Sequence, residues 1–414
     1  MPLIQSFFKP TIGSDFQNQI ERFGKMQPVG FQLDLQEDFI RTRGLFNYEE
    51  HFESEVAHLW KTKLDQVIIN SPSVHFYEET GDHQILIQDS EFKLHALNSS
   101  GEILWDIPLK DSIRSDIHSG NIFSKKEKHY IFNTKKNIVV LDMEGKAAKG
   151  FPLPLPAHAT NGLSIVDFGE RDFAMFVACD NENIYGYTKK GIPIVGWNPV
   201  ESVGKITMPL QHFQYENKDF LTFMNKDGDL MSFGKNGKKI MQGTNVSGSS
   251  SAPLFFHPKN SNQMVVADAT GSMHAIHVDG KNIQLNLKFD IPKAYQYMSA
   301  DMAGDAQIDI AKLNGRDLEI FYSVNDDFVA KANYQFPNMQ HQIFSVGEDE
   351  NNKAMIGTLN KFQARIYLLD KNGNVHPSFP LIGSTPFRLV RNFNHGKNVI
   401  VVGNGNEVLV YEIE

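Results

Sequence analysis

Three aspartates stand four residues apart in Asp301-Met302-Ala303-Gly304-Asp305-Ala306-Gln307-Ile308-Asp309. Carboxylates at the first, fifth and ninth places of a loop are the donors a hard cation such as Ca²⁺ uses, because ionised oxygens neutralise its charge. The third place, where a further oxygen is wanted, holds Ala303. Two readings stand. Asp301, Asp305 and Asp309 hold Ca²⁺, or the segment is a plain turn between strands.

The other polar residues suggest scaffold before chemistry. Ser/Thr-x-Pro occurs at Thr207-Met208-Pro209, Ser251-Ala252-Pro253 and Ser384-Thr385-Pro386, with Ser71-Pro72 close to it. Pro is tolerated at the first residue of a strand, and a hydroxyl beside it can satisfy a local amide. A ring of ligand-binding hydroxyls is the alternative. His95 and His274 read as core or channel-facing residues, and Asp89, Asp180 and Asp268 as turn residues. No Ser/His/Asp set, phosphate-binding loop or HExxH is present. No catalytic or cofactor-binding residue is assigned.

The elements that carry these residues repeat. Leu94-His95-Ala96-Leu97, Ile138-Val139-Val140-Leu141, Ile184-Tyr185-Gly186-Tyr187 and Leu230-Met231-Ser232-Phe233 share one pattern. Met273-His274-Ala275-Ile276, Leu318-Glu319-Ile320-Phe321, Ile366-Tyr367-Leu368-Leu369 and Val408-Leu409-Val410-Tyr411 continue it. Subtracting first positions gives spacings of 44, 46, 46, 43, 45, 48 and 42. A strand recurring at this period marks a β-propeller. The fourth place is always large and apolar and the third is Ala, Val, Gly, Ser, Ile or Leu, which predicts burial on both faces between neighbouring sheets.

Outer strands are predicted at Glu102–Leu109, Gly145–Leu155, Gly191–Val200, Gly237–Thr244, Gly280–Phe289, Asp327–Phe336 and Gly373–Leu381. These are seven, against eight repeated strands. His58-Leu59-Trp60-Lys61-Thr62-Lys63-Leu64 matches Ile103-Leu104-Trp105-Asp106-Ile107-Pro108-Leu109 in pattern. Residues 58–65 are therefore expected to complete the blade made by 386–413 and close the ring, removing two open sheet edges. Trp60, Trp105 and Trp197 fall in outer strands, with Phe151 and Phe379 in the same place, and are expected to pack between blades.

Residues 1–55 stand outside the repeat. Ser14 and Gln17 form a capping box, and Phe16, Ile20 and Phe23 share a helical face that Gly24 ends. Val29, Phe31, Leu33 and Leu35 alternate as in a half-buried strand, and a turn at Gln36-Glu37-Asp38 leads to a second strand through Phe39 and Phe46. A helix and one hairpin are small for a domain. The segment is read as the tail of a larger upstream domain, or as a decoration on the propeller, which occupies 56–414. The expected fold is all-β: eight four-stranded blades and a short α+β N-terminal piece.

The chain has 414 residues, a net charge of −9 and a single cysteine, Cys179. The acidic balance argues against nucleic acid as a partner. One cysteine excludes an internal disulfide or a paired thiolate metal site. No stretch approaches the roughly 18 apolar residues of a membrane span, and the N-terminus lacks signal-peptide character. An upstream signal or anchor is left open.

Leu94-His95-Ala96-Leu97-Asn98-Ser99-Ser100-Gly101-Glu102-Ile103-Leu104-Trp105 resembles the repeat of quinoprotein-dehydrogenase-like propellers, in which a Trp after the turn Gly docks between blades. The resemblance covers about residues 56–414 and fades at Leu318–Phe336, where Asn325-Asp326-Asp327 replaces the turn Gly. It implies eight blades. Enzymes of that superfamily hold pyrroloquinoline quinone and calcium over the channel, some beside a vicinal cysteine pair. Other members are similar to the propeller lipoprotein of the outer-membrane assembly machinery, which binds proteins. Gly150-Phe151-Pro152 and Ser378-Phe379-Pro380 are similar to segments of bacterial cell-envelope propellers. The loop at Asp301 resembles the calcium loops of integrin-type propellers. The expectation is a non-catalytic binding or scaffold propeller with a protein partner, periplasmic or in the cell envelope. The alternative is a quinoprotein-type or carbohydrate-active enzyme.

Overall fold

A computed structural model describes residues 26–36, 39–48, 56–123, 127–169, 173–202, 204–206, 208–245, 255–256, 263–267, 273–278, 282–284, 296–305, 307–324, 327–348, 354–394 and 396–413. The chain divides into two compact units, Met1–Glu55 and Val56–Glu414. In the first, Met26–Gln36 and Phe39–Tyr48 pair antiparallel, with Leu35 opposite Ile40 and Leu33 opposite Thr42. The helix expected from Ser14 to Gly24 lies outside the described residues.

Eight four-stranded antiparallel sheets make the second unit, with no helix among the described residues. In blade 1 the strands run from the centre outward as Ser73–Tyr77, Asp82–Gln88, Lys93–Leu97 and Ile103–Pro108. Every repeated segment is the third strand of its blade. The others are Asn137–Asp142, Asn183–Thr188, Asp229–Phe233, Met273–His277, Asp317–Val324, Arg365–Leu369 and Glu407–Ile413. Leu94, Ala96 and Leu97 are fully buried, as a sheet covered on both faces requires.

The core lies between blades. Ile85, Ile87 and Leu97 of blade 1 pack with Val399, Val401 and Val410 of blade 8. Each such aliphatic side chain contributes about 1.5–3 kcal/mol on burial. Blade 8 takes three strands from the C-terminal end, Arg388–Phe393, Lys397–Asn404 and Glu407–Ile413, and its outer strand is His58–Lys63. Trp60 pairs with Val410 and Lys63 with Glu407. Beyond the ladder, Leu64 N–H donates to Asn406 O at 2.8 Å and Asn406 Nδ2 donates back to Leu64 O at 2.8 Å.

Three outer strands are shorter than expected. Blades 2, 3 and 7 keep only Leu153–Pro154, Val200–Glu201 and Leu381–Ile382. Single bridges Leu141–Ala147, Tyr187–Pro193 and Leu369–Val375 precede them. Between bridge and strand the chain carries prolines, at 152, 199, 377 and 380, which cannot donate to a ladder. Trp197 consequently sits in the irregular stretch before its outer strand, yet it is fully buried.

The tryptophans hold neighbouring blades together. Trp60 Nε1 donates to Ser99 O at 2.7 Å, Trp105 Nε1 to Met143 O at 2.8 Å and Trp197 Nε1 to Lys235 O at 2.9 Å. Each acceptor lies in the turn after the third strand of the next blade. Phe151 takes the same place without the hydrogen bond, its ring against Gly191.

Candidate functional site

A four-stranded meander puts three features at one end of each blade: the start of the inner strand, the hairpin between second and third strands, and the end of the outer strand. This end is called the crossover face. The hairpins between inner and second strands lie on the opposite face.

Side-chain oxygens fix four of the crossovers to their own blades. Gln88 N–H donates to Asn70 Oδ1 at 2.7 Å, and Asn133 N–H to Ser115 Oγ at 3.2 Å. Ala178 N–H donates to Asn161 Oδ1 at 2.9 Å, and Gly403 N–H to Thr385 Oγ1 at 2.9 Å. The Ser/Thr-Pro segments are thus one variant of a wider strand-start device. Ser71 Oγ donates to Pro386 O at 3.1 Å, and Thr385 Oγ1 to Pro386 O at 2.9 Å. Thr207, Ser251, Ala252 and Pro253 lie outside the described residues. Reading for Ser/Thr-x-Pro alone missed Asn70, Ser115 and Asn161, although their spacing follows the blade period.

The inner strands enclose a cavity of 760 Å³ that opens at the crossover face. Blades 1 to 4 and blade 8 supply its wall, through Asn70 to Ser73, Ile113 to His118, Gly162 to Val166, Pro209 to His212, and Arg388. Ser73 Oγ meets His75 Nε2 at 2.8 Å. Burial pushes the His75 pKa down to about 4, and the charges of His118, Arg388 and Lys128 add to the effect. Burial also lowers the pKa of His118. His212 Nε2 contacts Asp219 Oδ1 at 2.9 Å. Burial raises the Asp219 pKa, but bonds from Gln214 and His212 outweigh it and leave the carboxyl below its ordinary value. Arg388 Nη2 donates to Asp116 Oδ1 at 3.3 Å, joining blade 8 to blade 2 across the start of blade 1.

Exposed apolar side chains occur at several places, including Val195 at 93% and Ile192 at 58% in the connection to the outer strand of blade 3, and four lie on the crossover face. Met339 is 58% exposed and Phe362 64% exposed, with Val67 at 53% and Ile69 at 44%. Met339 lies in the crossover into blade 7 and Phe362 in that blade's hairpin between second and third strands. Val67 and Ile69 lie in the crossover from blade 8 to blade 1. The Phe362 ring meets the His341 ring edge-on at 4.6 Å.

Asp301, Asp305 and Asp309 lie along the blade 6 hairpin that joins Gln296–Ala300 to Asp309–Asn314, on the opposite face. Each carboxylate accepts backbone amides. Asp309 Oδ2 accepts from Met302 and Ala303 at 2.9 and 2.8 Å, and its Oδ1 accepts from Ser323 at 3.0 Å. Burial raises the Asp309 pKa against these bonds. Asp301 Oδ1 accepts from Gly304 and Asp305, and Asp305 Oδ1 from Gln307. Among the described residues no three acidic, His or Cys side chains are grouped to hold a metal ion.

The remaining sequence candidates are apart. Buried His95 Nε2 contacts Asp89 Oδ2 at 2.9 Å, while Asp89 Oδ1 accepts from Glu91 and Lys93 and so closes the hairpin. His274 holds the equivalent place on blade 5, opposite in the ring. Asp180 Oδ1 accepts from His158 N–H at 3.2 Å, and Asp268 lies outside the described residues.

No family model and no curated protein matches the chain. Solved structures share its fold. BamB from Moraxella catarrhalis is 12% identical with a TM-score of 0.50, over 87% of this chain and 98% of that one. BBS1N in complex with ARL6DN, soaked with mercury, is 11% identical with a TM-score of 0.51, over 88% and 98%. The computationally designed Ika8 protein is 12% identical with a TM-score of 0.52, over 85% and 98%. At such identity the likeness defines the fold. The protein is a β-propeller of eight four-stranded blades, closed by its own N-terminal strand.

Among the described residues the cavity wall offers one carboxylate, Asp116, already bonded to Arg388, which does not suit a quinone with calcium. Cys179 is buried, with its pKa pushed up to about 12 by burial, and no second thiol exists to pair with it.

Proposed function

We propose that this propeller is a non-catalytic binding or scaffold module that presents its crossover face to a protein partner. The observation that carries the reading is the set of exposed apolar side chains Val67, Ile69, Met339 and Phe362 on that one face. Large exposed apolar groups rimmed by polar residues are what protein partners bury. Crossovers latched to their blades present those groups on a rigid surface, which lowers the ordering cost of association. BBS1N, a propeller of similar fold, is seen in complex with ARL6DN. The repeat's resemblance to quinoprotein-dehydrogenase-like and cell-envelope propellers supports the same role in the periplasm or cell envelope of a bacterium.

Site-specific photo-crosslinking in cells tests the face. A crosslinker at Phe362 should give a discrete adduct, lost in Val67→Asp/Ile69→Asp. A crosslinker at Phe123, in an opposite-face hairpin, should give none. Equal labelling from both positions would sink the reading. Dye-linked turnover after quinone reconstitution would favour the enzyme alternative.

A further inference from the structure

We propose that the central cavity is an oxyanion site, built to take the carboxylate or phosphoryl group of a small ligand. The cavity is of ligand size, since small-molecule pockets span about 300–1,000 Å³. Among the described residues its wall carries two guanidinium groups, Arg114 and Arg388, against a single carboxylate, Asp116. Asp116 engages one nitrogen of Arg388, and its own side chain is 78% exposed. So open a pair is weak and exchangeable, and a planar guanidinium bonded at one corner keeps donors for an incoming oxyanion. The Arg114 guanidinium is exposed and has no ion pair among the described residues.

A second observation is a hydroxyl in the same wall, that of Ser115. Its Oγ accepts from Asn133 N–H, so its own proton remains to donate. Hydroxyl donors with guanidinium groups are the set that recognises carboxylate and phosphate oxygens. The chain as a whole carries −9, so this positive mouth is a local reversal of sign that draws anions to it. The site does not depend on a protein partner for the crossover face.

Titration calorimetry on the full chain tests this with three probes: inorganic phosphate, an N-acetylated tripeptide with a free C-terminus, and the same tripeptide as its amide. We expect saturable binding of phosphate or of the free acid, and none of the amide. Phosphate alone identifies a phosphoryl ligand, and the free acid alone a carboxylate. Affinity should fall about tenfold in Arg388→Gln and in Arg114→Gln, and about threefold in Ser115→Ala. Arg114 is exposed, so its variant reads the site even if Arg388→Gln disturbs the fold. Equal binding of amide and acid, binding unchanged in both arginine variants, or no binding of any probe overturns the proposal.

Discussion

The indole of Trp60 occupies the space above Gly101. A Cβ built on Gly101 would stand 2.7 Å from the ring, and Gly101 has a φ of +85°. Trp60 belongs to the outer strand of blade 8 and Gly101 to the turn of blade 1, so the contact sits on the seam where the chain closes its ring. Gly101→Ala should therefore cost about 3 kcal/mol, the sum of left-handed strain and a displaced indole. Gly81, at φ +67° with nothing within 4 Å of a built Cβ, is the control. Gly81→Ala should cost only about 1 kcal/mol. Equal losses by chemical denaturation would mean that the indole does not restrain the turn.

Removal of residues 1–66 strips blade 8 of its outer strand and bares the edge of Glu407–Ile413. The melting temperature should fall by more than about 10 °C. Removal of residues 1–55 spares the strand and should leave the propeller transition in place. Calorimetric scans of both truncations decide this.

Stability should fall on acidification. The His75 pKa drops from an ordinary 6.5 to about 4 in the folded protein. Between those values the unfolded chain binds a proton that the folded one refuses, so stability is lost as pH falls from 6.5 to 4. The loss from His75 is about 3 kcal/mol and is complete below pH 4. His75→Gln should flatten this part of the stability profile. A variant with the parent's slope would assign the effect to other groups.

The blade 6 aspartates should behave as turn residues. Both Asp309 oxygens accept amides, so Asp309→Asn sets an NH₂ group against backbone donors and should cost about 2 kcal/mol. Calorimetry at millimolar Ca²⁺ should show no binding to the parent chain. Saturable heat that disappears in Asp301→Asn would instead establish a calcium site.

The repeat at Leu94, Ile138 and their six successors determined by itself that the chain is a ring of eight blades. Each third strand is buried by its immediate neighbours, so its apolar pattern survives in every copy. The mismatch between eight repeated and seven outer strands located the seam at residues 58–65, and the tryptophans followed the period. The short outer strands of blades 2, 3 and 7 were less legible, because the prolines there break the ladder while the apolar pattern continues. The cavity was legible only in part, through Ser71, Pro72 and Pro209 of the Ser/Thr-Pro segments, which line it. Ser73, Arg114, Ser164, His212 and Arg388 come from five blades spread over 300 positions, and they do not share one residue type or spacing. Nothing local ties them together. Only the closure of the ring, which turns separate inner strands toward one axis, places their side chains around a common space.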